Sequence, residues 1–322
     1  HDADPGGMML AKYLLKRIAL SIPVLFGISV LVFLLVCLVP GDTVTVMLGA
    51  QYNEEQAQML REKYGLDRPV HVQYALWISN LMKGDFGHST FTGQPVLTAI
   101  LERLPVTLEL TAISVLFALV VGIPLGIQAA VRRNRWMDYL ATVFGLSGIS
   151  IPGFWLGTLL ILLFSLKWGW FPSGGYVAIW EDPLGNLQTM AMPGIALGTA
   201  VAAVVMRITR SSMLEVLDQE YIKMARIKGA PERIVVRRHA LRNALIPVVT
   251  VLGIQVGYLL GGSVVIEQIF SLPGVGQLVL QAITNRDYAL LQGSILFIAV
   301  SFVVINLLVD LLYTLIHPRI RY

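Results

Sequence analysis

Charge and sulfur are both scarce in this chain. Only 14% of its 322 residues are Asp, Glu, Lys or Arg, against roughly 25% in soluble domains, so water is not its main solvent. A single cysteine, Cys37, excludes an internal disulfide framework. Val36 precedes it where a lipid-modified cysteine would want a small residue. The five histidines, at 1, 71, 88, 239 and 317, never form His-Glu-x-x-His, and with one Cys they give no basis for a structural or catalytic zinc site. No Gly-Lys dipeptide occurs, so a Walker A loop to cradle phosphates is absent. Gly-x-Ser-x-Gly is missing as well. No catalytic, cofactor-binding or metal-binding residue is therefore expected in this polypeptide.

What the chain has is apolar length. It is 56% hydrophobic, with a mean hydropathy of +0.70. Six runs lack any Asp, Glu, Lys or Arg: 18–39, 110–131, 139–166, 183–206, 244–266 and 288–309, each 22 to 28 residues long. About 20 residues suffice to cross ~30 Å of hydrocarbon as a helix. Lipid offers no partner to backbone N–H and C=O groups, so each run satisfies its own by coiling. A barrel would need strands of roughly 10 residues with alternating polarity, and no such alternation is present. Six transmembrane helices follow. The first run is too long for a signal h-region and lacks a small-residue cleavage site, so it is expected to stay as an anchor. The polar residues 1–7 read as an appended remnant ahead of Met8 or Met9.

Sidedness comes from Lys and Arg in the connections. With both termini cytoplasmic, seventeen fall inside and seven outside, nine of the inside set lying between Arg207 and Arg242. The positive-inside rule counts these residues, not net charge. The formal charge of +4 thus reflects topology, and no nucleic-acid partner is implied.

The expected organisation is a cytoplasmic start and first span over 8–39, an external insertion over 40–104, and a five-helix core over 105–322. Pro40-Gly-Asp42 should stop the first helix. Within the insertion, Asn53 is placed as an N-cap with Gln56 at N3, and Gly65 as the residue just past the end. A second helix is expected over 70–82, before Lys83-Gly-Asp-Phe-Gly-His-Ser89. The insertion is either a lid or a small subdomain that shapes an entrance and meets a partner. Gly122 with Gly126, and Gly257 with Gly261, are small-xxx-small pairs that let helices approach closely. Lys167-Trp-Gly-Trp170 carries rings suited to a membrane interface.

Between the fourth and fifth runs, over about 208–245, lies a basic block: Glu220-Tyr-Ile-Lys-Met-Ala-Arg-Ile-Lys-Gly229, then Ala230-Pro-Glu-Arg-Ile-Val-Val-Arg-Arg-His239. A helix over 212–228 should end at Gly229. Pro231 suits the first position of a second helix, with Glu232 in its first turn. A loop that merely fixed topology would explain the charge, but not two helices or the apolar Ile234, Val235 and Val236. Of the acids near membrane depth, Asp310 suits a pair with an inner-face Arg, Glu267 suits a salt bridge at an outer loop, and Glu109 suits a pore entrance. None amounts to an ion relay.

Several motifs carry a family resemblance. Glu220-Tyr221, Ala225-Arg226, Lys228-Gly229 and the run from His239 through Leu241-Arg-Asn-Ala244 to Pro247 are similar to the inner loop of ATP-binding-cassette importer permeases, in the version of the dipeptide, oligopeptide and nickel branch. Against the general Glu-Ala-Ala-x-x-x-Gly pattern, Lys223 and Met224 replace the first two positions, and Arg242 stands where that pattern has Pro. Pro40-Gly-Asp42 (with Thr43 for a usual Pro), Gly84-Asp-Phe-Gly87 with Ser89, Glu267-Gln-Ile-Phe270, Pro273-Gly-Val-Gly276, Arg286-Asp-Tyr288, Asn306 to Asp310 and the ending His317 to Arg321 resemble that branch too.

The resemblance implies an all-α membrane protein with six transmembrane helices, an external helical insertion and a cytoplasmic coupling helix between spans four and five. It implies a non-catalytic permease of the bacterial inner membrane that imports short peptides, glutathione or, in the alternative, nickel. An ion-coupled secondary transporter is the rival from another class. Implied partners are a homologous permease forming a heterodimer, two cytoplasmic ABC ATPases that bind ATP and Mg, an external substrate-binding protein, and lipid. The residues implied for ATPase coupling are Glu220, Tyr221, Ala225, Gly229, Ala230, Pro231, Glu232, Arg237 and His239, with the pushing helix around 230–238. Glu109, Glu267, Phe270, Pro273, Gly276 and Asp287 are the candidates for the path or its external gate.

Overall fold

A computed structural model describes residues 5–38, 44, 48 and 52–316. The Pro40-Gly-Asp42 turn and the ending His317 to Arg321 lie outside the described residues, and so does the side chain of Asp310. Among the described residues the elements are helical, with one isolated bridge between His88 and Pro95. Five of the described helices are long and apolar enough to cross a membrane, and the spans number six if one bent pair counts as a single one.

In chain order the described α-helices are α1 (Pro5–Leu38), α2 (Glu54–Tyr64), α3 (Val70–Met82), α4 (Val96–Val131), α5 (Trp136–Ser150), α6 (Gly153–Leu160), α7 (Pro183–Leu217), α8 (Glu220–Ile227), α9 (Glu232–Ile234), α10 (Leu241–Ile269), α11 (Val275–Thr284) and α12 (Tyr288–Ile316). Two π-helical stretches, Ile161–Lys167 and Val235–Ala240, continue α6 and join α9 to α10.

The apolar run 139–166 is not one straight helix. Its two halves, α5 and the Gly153–Lys167 segment, meet at 103°. Pro152 cannot donate a backbone hydrogen bond, and it holds Ile151 extended at φ −80°, ψ 119°. Both effects end the helix before the proline.

Contacts divide the chain into two compact units, one of residues 1–105 with Gly274–Val304, the other Val106–Pro273 with 305–322. In the first, α2 has the ends its sequence asks for: the Asn53 side chain accepts from the Glu55 N–H, and Gly65 turns left-handed at φ +65°. Helix α3 leans on α1 through rings. Tyr74 and Trp77 lie 5.4 and 5.7 Å from Phe33, and the Tyr74 and Ser29 hydroxyls are 2.7 Å apart. Val96, Ile100, Val275, Leu278 and Leu290 form this unit's buried cluster.

The second unit is built around α7, the most buried of the long apolar helices. Glycine sets how near its neighbours come. A Cβ on Gly122 or Gly126 of α4 would stand 2.7 or 2.6 Å from α7 atoms. Gly145 and Gly148 of α5 meet Met206 and Ala203 of α7 in the same way. In lipid, where apolar surface gains little by leaving its solvent, such contact is a main source of helix association. Of the other small-residue pair, Gly261 faces open space.

Candidate coupling surface and the buried carboxylates

Helix α7 ends at Leu217, and the chain leaves helical geometry at Gln219 (φ −70°, ψ 146°) before α8 begins at Glu220. The single helix expected over 212–228 is thus two. The break lets α8 fold back so that Ile222, fully buried, packs with Met213, Leu217, Val235, Ala240 and Ala244. Ala225 and Ala230 border the same cluster. Ile222 and Ala225 anchor the helix, and its other long apolar side chains face outward: Met224 and Ile227 are 51% and 77% exposed, and at helical spacing they share a face with Glu220. Lys223 lies beside that face, paired with Glu220 at 2.9 Å.

Gly229 closes α8 at φ +81°, a conformation that costs a side-chain-bearing residue. Its N–H reaches the Arg226 carbonyl at 2.9 Å. Pro231 sits one position earlier than expected, as the cap of α9 (φ −62°, ψ 142°). No separate short helix occupies 230–238. Glu232 opens α9, which runs through the π-helical stretch carrying exposed Arg237 and half-buried His239 into α10. The Arg226 guanidinium grips Glu232 with two bonds, 2.7 and 3.1 Å, across the turn. Hydrogen bonding to that carboxylate raises the Arg226 pKa above its ordinary value. Asn243 of α10 donates to the Tyr221 hydroxyl at 2.8 Å. The expected coupling residues therefore lie on α8, on the turn after it and on the stretch into α10, which the Ile222 cluster and these two contacts tie together.

Sequence reasoning missed a neighbouring feature. Asp138, in the first turn of α5, is 5% exposed. Arg210 of α7 grips it with Nε at 2.6 Å and Nη2 at 2.9 Å, and the Asn134 N–H donates at 3.0 Å. The signal was available: Asp138 is the one acid between two long charge-free runs.

The candidate gate residues divide between the units. Glu109 of α4 accepts from the Tyr176 hydroxyl at 2.7 Å and from Asn186 of α7, which holds the 168–182 segment to both helices. Burial first, then the Glu109 carboxylate, pushes the Tyr176 phenol up to about 12, so it remains a donor. Glu267 is not at an exposed loop. It lies in the last turns of α10, fully buried, with the Thr107 and Ser263 hydroxyls donating to Oε1 at 2.8 and 3.0 Å. Phe270 is buried beside Gly157 and Gly174, and its carbonyl accepts from the Gly175 N–H at 2.9 Å. Pro273 is exposed.

In the other unit Gly276 is buried in α11. Asp287, 1% exposed, accepts from the Leu290 N–H at 3.2 Å as the N-cap of α12. It also accepts from the Ser89 hydroxyl and the Thr90 N–H. Two motifs nearly 200 residues apart are thereby one structural joint.

With helices as the regular elements of its described residues, and five or six of them apolar enough to span, the chain is a multi-pass membrane protein. It belongs to the family of inner membrane components of binding-protein-dependent transport systems, whose pattern matches residues 122–322; the matching N-terminal membrane component covers residues 9–111. A peptide transport system permease protein of Brucella melitensis is 46% identical over 314 residues, covering 98% of this chain and 100% of the relative. The glutathione transport system permease protein GsiC of Escherichia coli K12 is 44% identical over 313 residues, covering 97% and 100%. In fold, the chain is similar to one in the inward-facing MetNI methionine ABC transporter, with a TM-score of 0.55 at 20% identity over 68% of this chain and 96% of that one.

Proposed function

We propose that this chain is one of two permease subunits of an ATP-driven importer of short peptides, and that α8 is the element its ATPase grips. The observation that carries the reading is the two-faced character of α8. Ile222 seats it on the end of α7, while Met224 and Ile227 stand out on a basic surface. Exposed apolar side chains rimmed by charge mark protein contact sites. Family membership supplies the external binding protein as a companion class, and the names of the relatives at 46% and 44% identity support peptide or glutathione cargo.

In this reading both termini and the α8 loop face the cytoplasm, where Lys and Arg are concentrated. A homologous permease completes the pathway as a heterodimer, and two ATPase subunits hold ATP and Mg. Closure of the ATPases displaces α8, rather than a helix at 230–238. The buried Ile222 contact passes the shift to α7, and the pathway alternates between outward and inward access. Each state must be differently favoured by nucleotide for the displacement to occur.

The test is co-purification of the ATPase subunits with the permease pair, together with peptide uptake in vesicles. Ile227→Asp and Gly229→Asp should each weaken ATPase association and lower uptake at least about tenfold, as hot-spot interface residues do, while the permease still reaches the membrane. Arg237→Glu should weaken both less. Wild-type ATPase association and uptake in Ile227→Asp would overturn the reading, as would full uptake by a complex lacking any ATPase.

A further inference from the structure

We infer that Asp138 and Arg210 form a positioning pair that obliges α5 to follow α7 when α8 is displaced. The inference rests on the ATP-driven reading above and extends it to residues that touch neither ATPase nor cargo.

Burial, geometry and placement support it together. The Asp138 carboxylate is 5% exposed and has both oxygens engaged: Oδ1 takes Arg210 Nε at 2.6 Å, and Oδ2 takes Nη2 at 2.9 Å and the Asn134 N–H at 3.0 Å. Asn134 itself is left-handed at φ +61°, so the carboxylate also fixes the turn joining α4 to α5. Arg210 lies on the last turns of α7. Met213 and Leu217, beyond it on that helix, are the residues on which Ile222 of α8 sits. A mechanical line therefore runs from α8 through the end of α7 to the start of α5.

Stability alone is a weak reason for such a pair. Well-packed apolar residues commonly replace a buried ion pair without loss. A two-bond Arg–carboxylate fork does supply direction. The other α5–α7 contacts are apolar, with Gly145 against Met206, Gly148 against Ala203 and Phe144 packed on the cluster of Ala141 and Met206. Apolar contact is non-directional, so it holds the helices close without specifying one register as a charged fork does. The fork fixes the register that the glycines leave free.

The experiment uses the complete reconstituted importer (permease pair, ATPases and binding protein) and reads peptide imported per ATP hydrolysed. D138L/R210M removes both charges and leaves no orphan. It should assemble and hydrolyse ATP within about twofold of wild type, yet import about tenfold less per ATP, within the range by which residues along a coupling path change it. R210K, which keeps the charge and loses the fork, should assemble fully and lose about threefold in the same ratio.

A wild-type ratio in assembled D138L/R210M overturns the inference. If that variant does not assemble, R210K decides, and an unchanged ratio there overturns it equally. Import by the wild-type complex without ATPase would remove the underlying reading. ATP-driven import with normally coupled variants would remove only the strut.

Discussion

Within the second unit, the packed parts of α4, α7 and α10 are finished differently at their two ends. At one, polar groups are matched internally: Glu109 with Tyr176 and Asn186, Glu267 with Thr107 and Ser263, and the Phe270 carbonyl with Gly175. At the other, Asp138 and Arg210 satisfy each other, while the chain beyond α7 carries exposed Arg and Lys side chains interleaved with Met224, Ile227 and Ile234. The carboxylate-rich end holds the helices together, and the arginine-rich end is the one proposed to meet a partner.

The contrast is sharpest within α8, so Ile222→Ala should have the largest effect on stability. Ile222 is fully buried among Met213, Leu217 and Val235. Its truncation leaves a cavity that should cost about 2–5 kcal/mol, read as a drop in thermal unfolding temperature of the detergent-purified permease. Truncating Ile227, 77% exposed, should move the same measurement by no more than about 0.5 kcal/mol. Equal losses at 222 and 227 would mean that α8 has no outward face, and the distinction between the ends would fail.

Glycine gives the next test and shows where sequence reading stops. Gly122 with Gly126 and Gly257 with Gly261 have the same spacing and read alike. In the structure, a Cβ on Gly126 would lie 2.6 Å from Thr209 Cβ and 2.7 Å from the Met206 carbonyl, whereas one on Gly261 meets nothing within 4 Å. Gly126→Ala should cost about 1–3 kcal/mol by overpacking, and Gly261→Ala close to nothing, both by thermal unfolding. If Gly261→Ala proves as costly, the exposed face of α10 is a packed surface in the purified protein.

Local chemistry was legible in the same way. Asn53 and Gly65 announce the ends of α2, and the limits of α3 follow from its apolar block. Long-range pairing was not. Nothing near Glu267 in sequence points to Thr107, and nothing near Asp287 points to Ser89; the matching donors lie 160 and 198 residues away. The motifs naming Glu267 and Asp287 were visible, but their buried, structural placement depends on which helices pack together. Likewise Pro231 signalled a helix start correctly, while the fusion of α9 into α10 depends on Val235 and Ala240 being drawn under α8.

The smallest effect is expected at Arg226 and Glu232. They make two good bonds, but both side chains are substantially exposed, 40% and 54%. Exposed pairs contribute about 0.2–1 kcal/mol, and salt screens them. The turn they span has its own backbone support, with the Gly229 N–H on the Arg226 carbonyl at 2.9 Å and the Ala230 N–H on the Ala225 carbonyl at 3.1 Å. Arg226→Gln should therefore lower stability by under about 1 kcal/mol, a difference that shrinks when unfolding is repeated in high salt. A loss of several kcal/mol that persists in salt would show that the pair, not Ile222 and the glycine turn, holds α8 in place. The arginine-rich end would then be as internally matched as the carboxylate-rich one, and no partner would be needed to explain it.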